Sequence, residues 1–267
     1  MTRSSLLDPK ELRKSVLHMA RAGSSVHIAC AFSLIEVVSV LYSKFVTCEK
    51  ADLSNPLRDH VILSKGHGVM AMYAAFAKLG WIEQIHLDRY FSDGSMLHGL
   101  AEAKIPGLEV CSGSLGHGLP IATGMALGLK RQNSSKQVYC IVGDGELNEG
   151  TMWEAILFAG HHDLSNLTII VDANGFQAMG PCETVADLEP LPDKFTSFGF
   201  HAIDCDGHDV AKIEAALRAS SGGKPKAIVA RTVKGKGITW MEHDNEWHYR
   251  RLNDELFSKA LKELGEA

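Results

Sequence analysis

Gln137-Val138-Tyr139-Cys140-Ile141-Val142 runs into Gly143-Asp144-Gly145, and thirty positions after Asp144 stands Asn174, behind a second apolar run, Leu167-Thr168-Ile169-Ile170-Val171. Both runs read as buried parallel strands, short and almost continuously apolar. Between them, Met152, Ile156, Leu157 and Ala159 recur at helical spacing over roughly 149–162. A strand, a crossover helix and a parallel strand bring both strand ends to one edge of one sheet, where α/β sheets bind ligands. Asp144 and Asn174 emerge there together, a carboxylate and a neutral amide oxygen. Both are hard donors of the kind Mg²⁺ or Ca²⁺ takes. Gly145 lets backbone N–H groups come close to a diphosphate. The GDG…N pair therefore describes a metal–diphosphate site, although GDG and Asn-Gly also occur as ordinary turns.

Outward from this pair the chain alternates strands and helices. Asp8-Pro9-Lys10-Glu11 predicts a capped helix start with a capping box, and Gly23-Ser24-Ser25 its end. A further helix is expected over 33–42. Val61-Ile62-Leu63 predicts a strand that leads through Ser64-Lys65-Gly66-His67-Gly68 into a helix. Gly113 to Gly118 is a glycine-rich turn before a small-residue helix over about 121–130. Strands follow at 200–205 and 227–230, with a helix over 209–219 between them and an amphipathic helix over 252–264 at the end. Pro190 and Pro192 read as a loop. The fold class is α/β: a doubly wound, mainly parallel sheet with helices on both faces, one domain over residues 1–267.

The net charge of −5 leaves no electrostatic footprint for nucleic acid. Arg231, Lys234 and Lys236 read as a diphosphate-facing loop or a solvated edge. The longest uncharged stretch, 110–129, is broken by glycines, His117 and Pro120, so no membrane span is expected. Six cysteines without CxxC spacing and a polar start over Met1 to Lys14 point to a reducing, cytoplasmic setting without disulfides or zinc.

Thirteen histidines are many for this length, and several sit in loops after strands: His27, His67, His98, His117 and His248. One loop histidine is usually only solvated. Several beside a metal–diphosphate motif can donate to phosphate or sugar oxygens and move protons.

With Leu63-Ser64-Lys65-Gly66-His67-Gly68 and Gly113-Ser114-Leu115-Gly116 added to GDG…N, the chain resembles the thiamine diphosphate-binding part of the transketolases. It is especially similar to the separate N-terminal subunit of split transketolases, from about Leu12 to the last helix. The resemblance implies the thiamine diphosphate-binding fold. It implies a metal, Mg²⁺ or else Ca²⁺ or Mn²⁺, held by Asp144, Asn174 and the Phe176 carbonyl. It implies cofactor contacts from His67, Gly113, Ser114, Leu115, Gly145, Glu146, Asn174 and His248, with Leu115 helping to keep the cofactor bent. His27, His248 and His98 would face sugar or diphosphate, although the flanks of His98 lack the family's PGHP pattern. His117 stands where a Gln is more common and receives no role. Glu149 and Glu154 would lie between the two active sites of a dimer and relay protons, although acids at a helix start are also favoured electrostatically.

The resemblance also implies transfer of a two-carbon ketol unit from a ketose phosphate to an aldose. The family's pyrimidine-binding domain and C-terminal domain are expected on a second polypeptide, in an α₂β₂ assembly. Another thiamine diphosphate half-enzyme, a 2-oxo acid dehydrogenase or decarboxylase subunit, shares GDG…N but is not expected to combine it with all the histidine loops. An NAD-binding Rossmann enzyme would need a GxGxxG that the glycines at 143, 145 and 150 do not form. A non-catalytic remnant of the fold would not be expected to keep the whole ligand set.

Overall fold

The computed structural model describes residues 7–46, 48 and 52–265. Met1 to Leu6, the first part of the polar N-terminal stretch, lie outside the described residues. In chain order the helices are α1 (Pro9–Ala22), α2 (Ile28–Phe32), α3 (Ile35–Val40), α4 (Met70–Lys78), α5 (Gln84–Asp88), α6 (Gly118–Arg131), α7 (Gly150–His161), α8 (Cys182–Val185), α9 (Leu191–Ser197), α10 (Val210–Arg218) and α11 (Asp254–Glu263). The strands are β1 (Ser25–Val26), β2 (His60–Leu63), β3 (Val138–Gly143), β4 (Leu167–Ala173), β5 (His201–Asp206), β6 (Lys226–Arg231) and β7 (Arg250–Arg251).

Five strands form one parallel sheet in the order β2-β3-β4-β6-β5. Their side chains alternate between two cores, as a pleat requires. Tyr139 and Ile141 face the layer built on α1–α4, whereas Val138, Cys140 and Val142 face α6, α7 and α9. Register pairs Gly143 with Asp172 across β3 and β4, so the strand ends carrying Asp144 and Asn174 finish together. β5 is an edge strand and is only half-buried, unlike the continuous burial of β3.

Asp8 caps α1 by accepting from the Lys10 N–H at 2.9 Å, and Pro9 opens the helix. The expected capping box is replaced by an ion pair of Glu11 with Lys14 at 2.9 Å. α6 begins at Gly118, earlier than its sequence pattern, because Pro120 falls in a first turn whose N–H groups need no helical partner. The same reason corrects the loop expected around Pro190 and Pro192: Pro192 sits in the first turn of α9. The two-residue ribbon β1–β7, which pairs Val26 with Arg250, is too short to leave a sequence pattern, yet it ties the His27 loop to the His248 segment.

Candidate active site

The loops leaving β2, β3, β4 and β6 meet at the carboxyl edge of the sheet. There Asp144, Asn174 and Phe176 line one cleft together with Leu115, His67 and His248. Asp144 Oδ1 accepts from the Gly145 N–H at 2.8 Å and its Oδ2 from the Gly175 N–H at 2.6 Å. Asn174 Oδ1 accepts from the Phe176 N–H at 3.0 Å, and its Nδ2 donates to Asp172 Oδ2 at 3.1 Å. Those bonds aim the two side chains and leave oxygen lone pairs for a cation. Burial, then the neighbouring charge of Asp172, raises Asp144 to about 6. A carboxylate in that condition gains most from a bound cation.

Asp172 belongs to none of the sequence motifs, and it organises the floor. It is fully buried and accepts from Ser33 Oγ (2.6 Å), Lys65, Thr232 and Asn174. Its one legible signal is a charge inside an otherwise apolar run, which folding must pair. Burial alone would raise Asp172, but Lys65 and the donors around it hold it below the ordinary carboxylate value.

Lys234 is the second buried cation, 1% exposed. Its Nζ donates to Asn245 Oδ1 at 2.6 Å and to His248 Nδ1 at 3.0 Å. Because an ammonium only donates, His248 accepts at Nδ1 and carries its hydrogen on Nε2. The reading of 231–236 thus divides. Lys234 packs against two residues that line the cofactor cleft, His248 and Phe176, while Arg231 pairs with Glu189 and Asp204 on the surface and Lys236 lies 3.5 Å from Glu242.

His27, His67 and His248 form a cluster with ring centroids 5.2–5.7 Å apart. Burial first, then nearby lysines, lowers His27 to about 4 and His248 to about 3, and holds His67 well below its ordinary value. All three are neutral near pH 7. On the other side of this cluster lies the larger cleft, about 880 Å³, where His27, His98, Phe91 and Tyr249 gather. The Tyr249 ring lies 4.7 Å from that of His27, tilted by 51°, and His98 Nδ1 meets Glu102 Oε1 at 2.6 Å.

Gly66 packs on the Ser112 backbone so closely that no side chain fits, and Ser112 Oγ donates to Leu63 O at 2.5 Å. These contacts set the turn that presents Gly113, Ser114 and Leu115. Leu115 is half-buried in the cofactor cleft; Gly113 and Ser114 are exposed. Glu146 borders the same cleft, but its carboxylate oxygens accept from Ser64 Oγ (2.6 Å), Gly116 N (3.0 Å) and Gly143 N (3.2 Å). It therefore staples loops together instead of offering a free oxygen. Glu149 and Glu154 are not brought to this cleft. They are exposed, Glu154 on the outer face of α7 near the exposed Leu157 and Phe158. His117 is exposed and bonds only locally, to the Leu115 carbonyl.

The residues fit a divalent cation and a diphosphate. The donors are hard oxygens, two lysines stand by, and among the described residues the buried His27 Nδ1 and Gln177 Nε2 have no hydrogen-bond partner. The cofactor cleft measures about 70 Å³, and Gln177 Cγ lies 2.7 Å from where a side chain at position 145 would begin.

The family described as "Transketolase, thiamine diphosphate binding domain" matches residues 10–266. The chain is 37% identical over 254 residues to an apulose-4-phosphate transketolase subunit from Actinobacillus succinogenes, covering 94% of this chain and 92% of that protein. It is 37% identical over 243 residues to the 6-deoxy-6-sulfo-D-fructose transketolase subunit SqwG of a Clostridium species, covering 89% and 88%. Among solved structures, transketolase from Campylobacter jejuni superposes with a TM-score of 0.89 at 28% identity, over 96% of this chain and 42% of that one. The chain thus spans about two-fifths of that transketolase's length.

Proposed function

The chain belongs to the transketolase family, as its thiamine diphosphate-binding part, and from that premise we propose that it is the N-terminal subunit of a two-subunit transketolase. Two of the relatives that match it over most of both lengths are named as subunits. The enzyme moves a two-carbon ketol unit from a ketose to an aldose. By their names, those relatives act on apulose 4-phosphate and 6-deoxy-6-sulfo-D-fructose, which supports a ketose with an anionic tail as donor.

Thiamine diphosphate, when bound, supplies carbanion stabilisation. The chain's own residues bind and orient. Asp144, Asn174 and the Phe176 carbonyl hold a divalent cation, Mg²⁺ by the donor set, which neutralises diphosphate charge. Lys234 adds a second positive charge to the same anion. His67 and Leu115 line the cofactor's flank. His27 and His248, neutral at pH 7, exchange protons and hydrogen bonds with the reacting sugar without adding charge to the cleft. His98, turned by Glu102, faces sugar hydroxyls in the larger cleft. Glu149 and Glu154 relay protons across the contact between two subunits; unchanged turnover and cofactor affinity in Glu149→Gln would remove that role. A partner supplies the pyrimidine-binding domain, in an α₂β₂ assembly. A reducing, cytoplasmic setting completes the reading; no cysteine pair forms a disulfide among the described residues. No helix among the described residues is long and apolar enough to cross a membrane.

The observation that carries this reading is the convergence of Asp144 and Asn174 on one cleft beside three neutral histidines and a buried lysine. The test mixes purified chain, its partner, thiamine diphosphate and Mg²⁺, with hydroxypyruvate as donor and an aldehyde as acceptor. Transfer is expected from the mixture and not from the chain alone. Transfer by the chain alone, or release of CO₂ from a 2-oxo acid without transfer, contradicts the reading.

A further inference from the structure

Lys234, on the loop after β6, touches two residues that line the cofactor cleft: its Nζ donates to His248 and lies 5.5 Å from the Phe176 ring centroid. Three hydrogen bonds fasten that loop to the body of the domain. The Val233 N–H, in the peptide that leads into this stretch, donates to His208 Nε2 at 2.8 Å. The Gly235 N–H donates to the Ala29 carbonyl at 3.1 Å, and Arg13 Nε donates to the Lys236 carbonyl at 2.8 Å. Because the Val233 N–H can only donate, His208 accepts at Nε2 and carries its hydrogen on Nδ1. Nδ1–H in turn donates to Glu36 Oε2 at 2.9 Å. Glu36 completes the chain by taking Arg13 with both oxygens, at 2.6 and 2.9 Å.

The side chains of Arg13, Glu36 and His208 are 8%, 8% and 13% exposed. Burial would raise Glu36, but the bonds from His208 and Arg13 outweigh it and keep the carboxylate charged. Each group thus has one partner on each side, and the series joins α1, α3, the β5–α10 turn and the 233–237 loop. Within this series His208 is the member that holds the N–H of Val233, the residue before Lys234. Nothing in this series borders the cofactor cleft.

We infer that His208 is a positioning residue for cofactor binding: through the Val233 backbone it fixes Lys234, whose Nζ in turn holds the His248 ring at the cofactor cleft. The inference rests on the thiamine diphosphate reading above. Two amide variants separate the bonds by length. His208→Asn reaches Glu36 but falls short of Val233. His208→Gln reaches the Val233 N–H with its amide oxygen, while its NH₂ can still donate to Glu36.

In the assembled two-subunit enzyme at fixed Mg²⁺, the thiamine diphosphate Kd is read from quenching of intrinsic fluorescence, and kcat is read at saturating cofactor. For His208→Asn the Kd should rise about tenfold, the effect of one lost buried bond. Its kcat should stay within about twofold of wild type, because no reacting atom is touched. His208→Gln should bind within about threefold of wild type. A wild-type Kd in His208→Asn overturns the inference. So does equal weakening in both variants, or a fallen kcat with Kd unchanged. A wild-type assembly that binds no thiamine diphosphate sinks the cofactor reading instead, and the two failures are told apart by that control.

Discussion

Neutralising Asp172 is the most demanding perturbation of this site. Asp172 is fully buried and Lys65, its ion-pair partner, is 1% exposed. Asp172→Asn preserves shape, and Thr232 can rotate to accept from the new NH₂ where it now donates to Oδ1. The charge of Lys65 then has no counter-ion in contact. Breaking one partner out of a buried pair costs about 3–5 kcal/mol. For a chain of this size that is roughly 6–10 °C of melting temperature, at about 2 °C per kcal/mol. The assay is thermal and urea unfolding of the cofactor-free protein at pH 7.5, followed by tryptophan fluorescence. The double variant Lys65→Met, Asp172→Asn leaves no unpaired charge and should recover most of the lost stability. It should still bind thiamine diphosphate poorly, because Lys65 borders the cofactor cleft. A single variant within about 1 kcal/mol of wild type, or a double variant no more stable than the single, would refute the claim that this pair holds the floor of the site.

Three further outcomes follow from the same geometry. His27 at about 4 and His248 at about 3 lie below the ordinary histidine value, as does His67. As pH falls below about 6.5 the unfolded chain takes up protons the native state refuses, so the cofactor-free protein should lose stability down to pH 4, at up to about 1.4 kcal/mol per pH unit per proton. Asp144, raised to about 6, acts in the opposite direction by one proton, so a urea midpoint that rises on acidification from pH 6.5 would contradict the histidine assignment. Asp144→Asn should abolish metal-dependent cofactor binding; relief of the buried charge is offset by an NH₂ turned toward the Gly145 or Gly175 N–H that now donates to Asp144, so the cofactor-free protein at pH 7.5 should stay within about 2 kcal/mol of wild type, and retained metal-dependent binding counts against the account. Gly66→Ala drives a methyl group into the Ser112 backbone and should cost about 1–3 kcal/mol, with weaker cofactor binding through the displaced Leu115 turn; wild-type melting and affinity would show that the packing there is loose.

Much of this was legible in the sequence because the parallel strands are nearly unbroken apolar runs. β3 and β4 lie where Val138 to Val142 and Leu167 to Val171 predict them, and their ends carry Asp144 and Asn174 to one edge. What stayed hidden depends on contacts between distant residues. Ser33 and Asp172 are 139 positions apart, and Arg13 and Lys236 are 223 apart; no local periodicity encodes such pairs. The β1–β7 ribbon is likewise two residues against two, visible only once both loops are folded. Glu146 sits in the expected motif yet serves as a staple, because the Ser64 hydroxyl and two backbone N–H groups arrive first at its oxygens. A motif fixes which residue stands at a place; the neighbours that the fold delivers decide which of its atoms stay open.

The central claim is that Asp144 and Asn174 clasp one divalent cation against a diphosphate. Its most direct measurement is electron–nuclear double resonance on the assembled enzyme loaded with Mn²⁺ and thiamine diphosphate. The account predicts phosphorus couplings on a single bound Mn²⁺, lost in Asp144→Asn and in Asn174→Ala. Phosphorus coupling that survives both substitutions, or bound Mn²⁺ with no phosphorus near it, would contradict it.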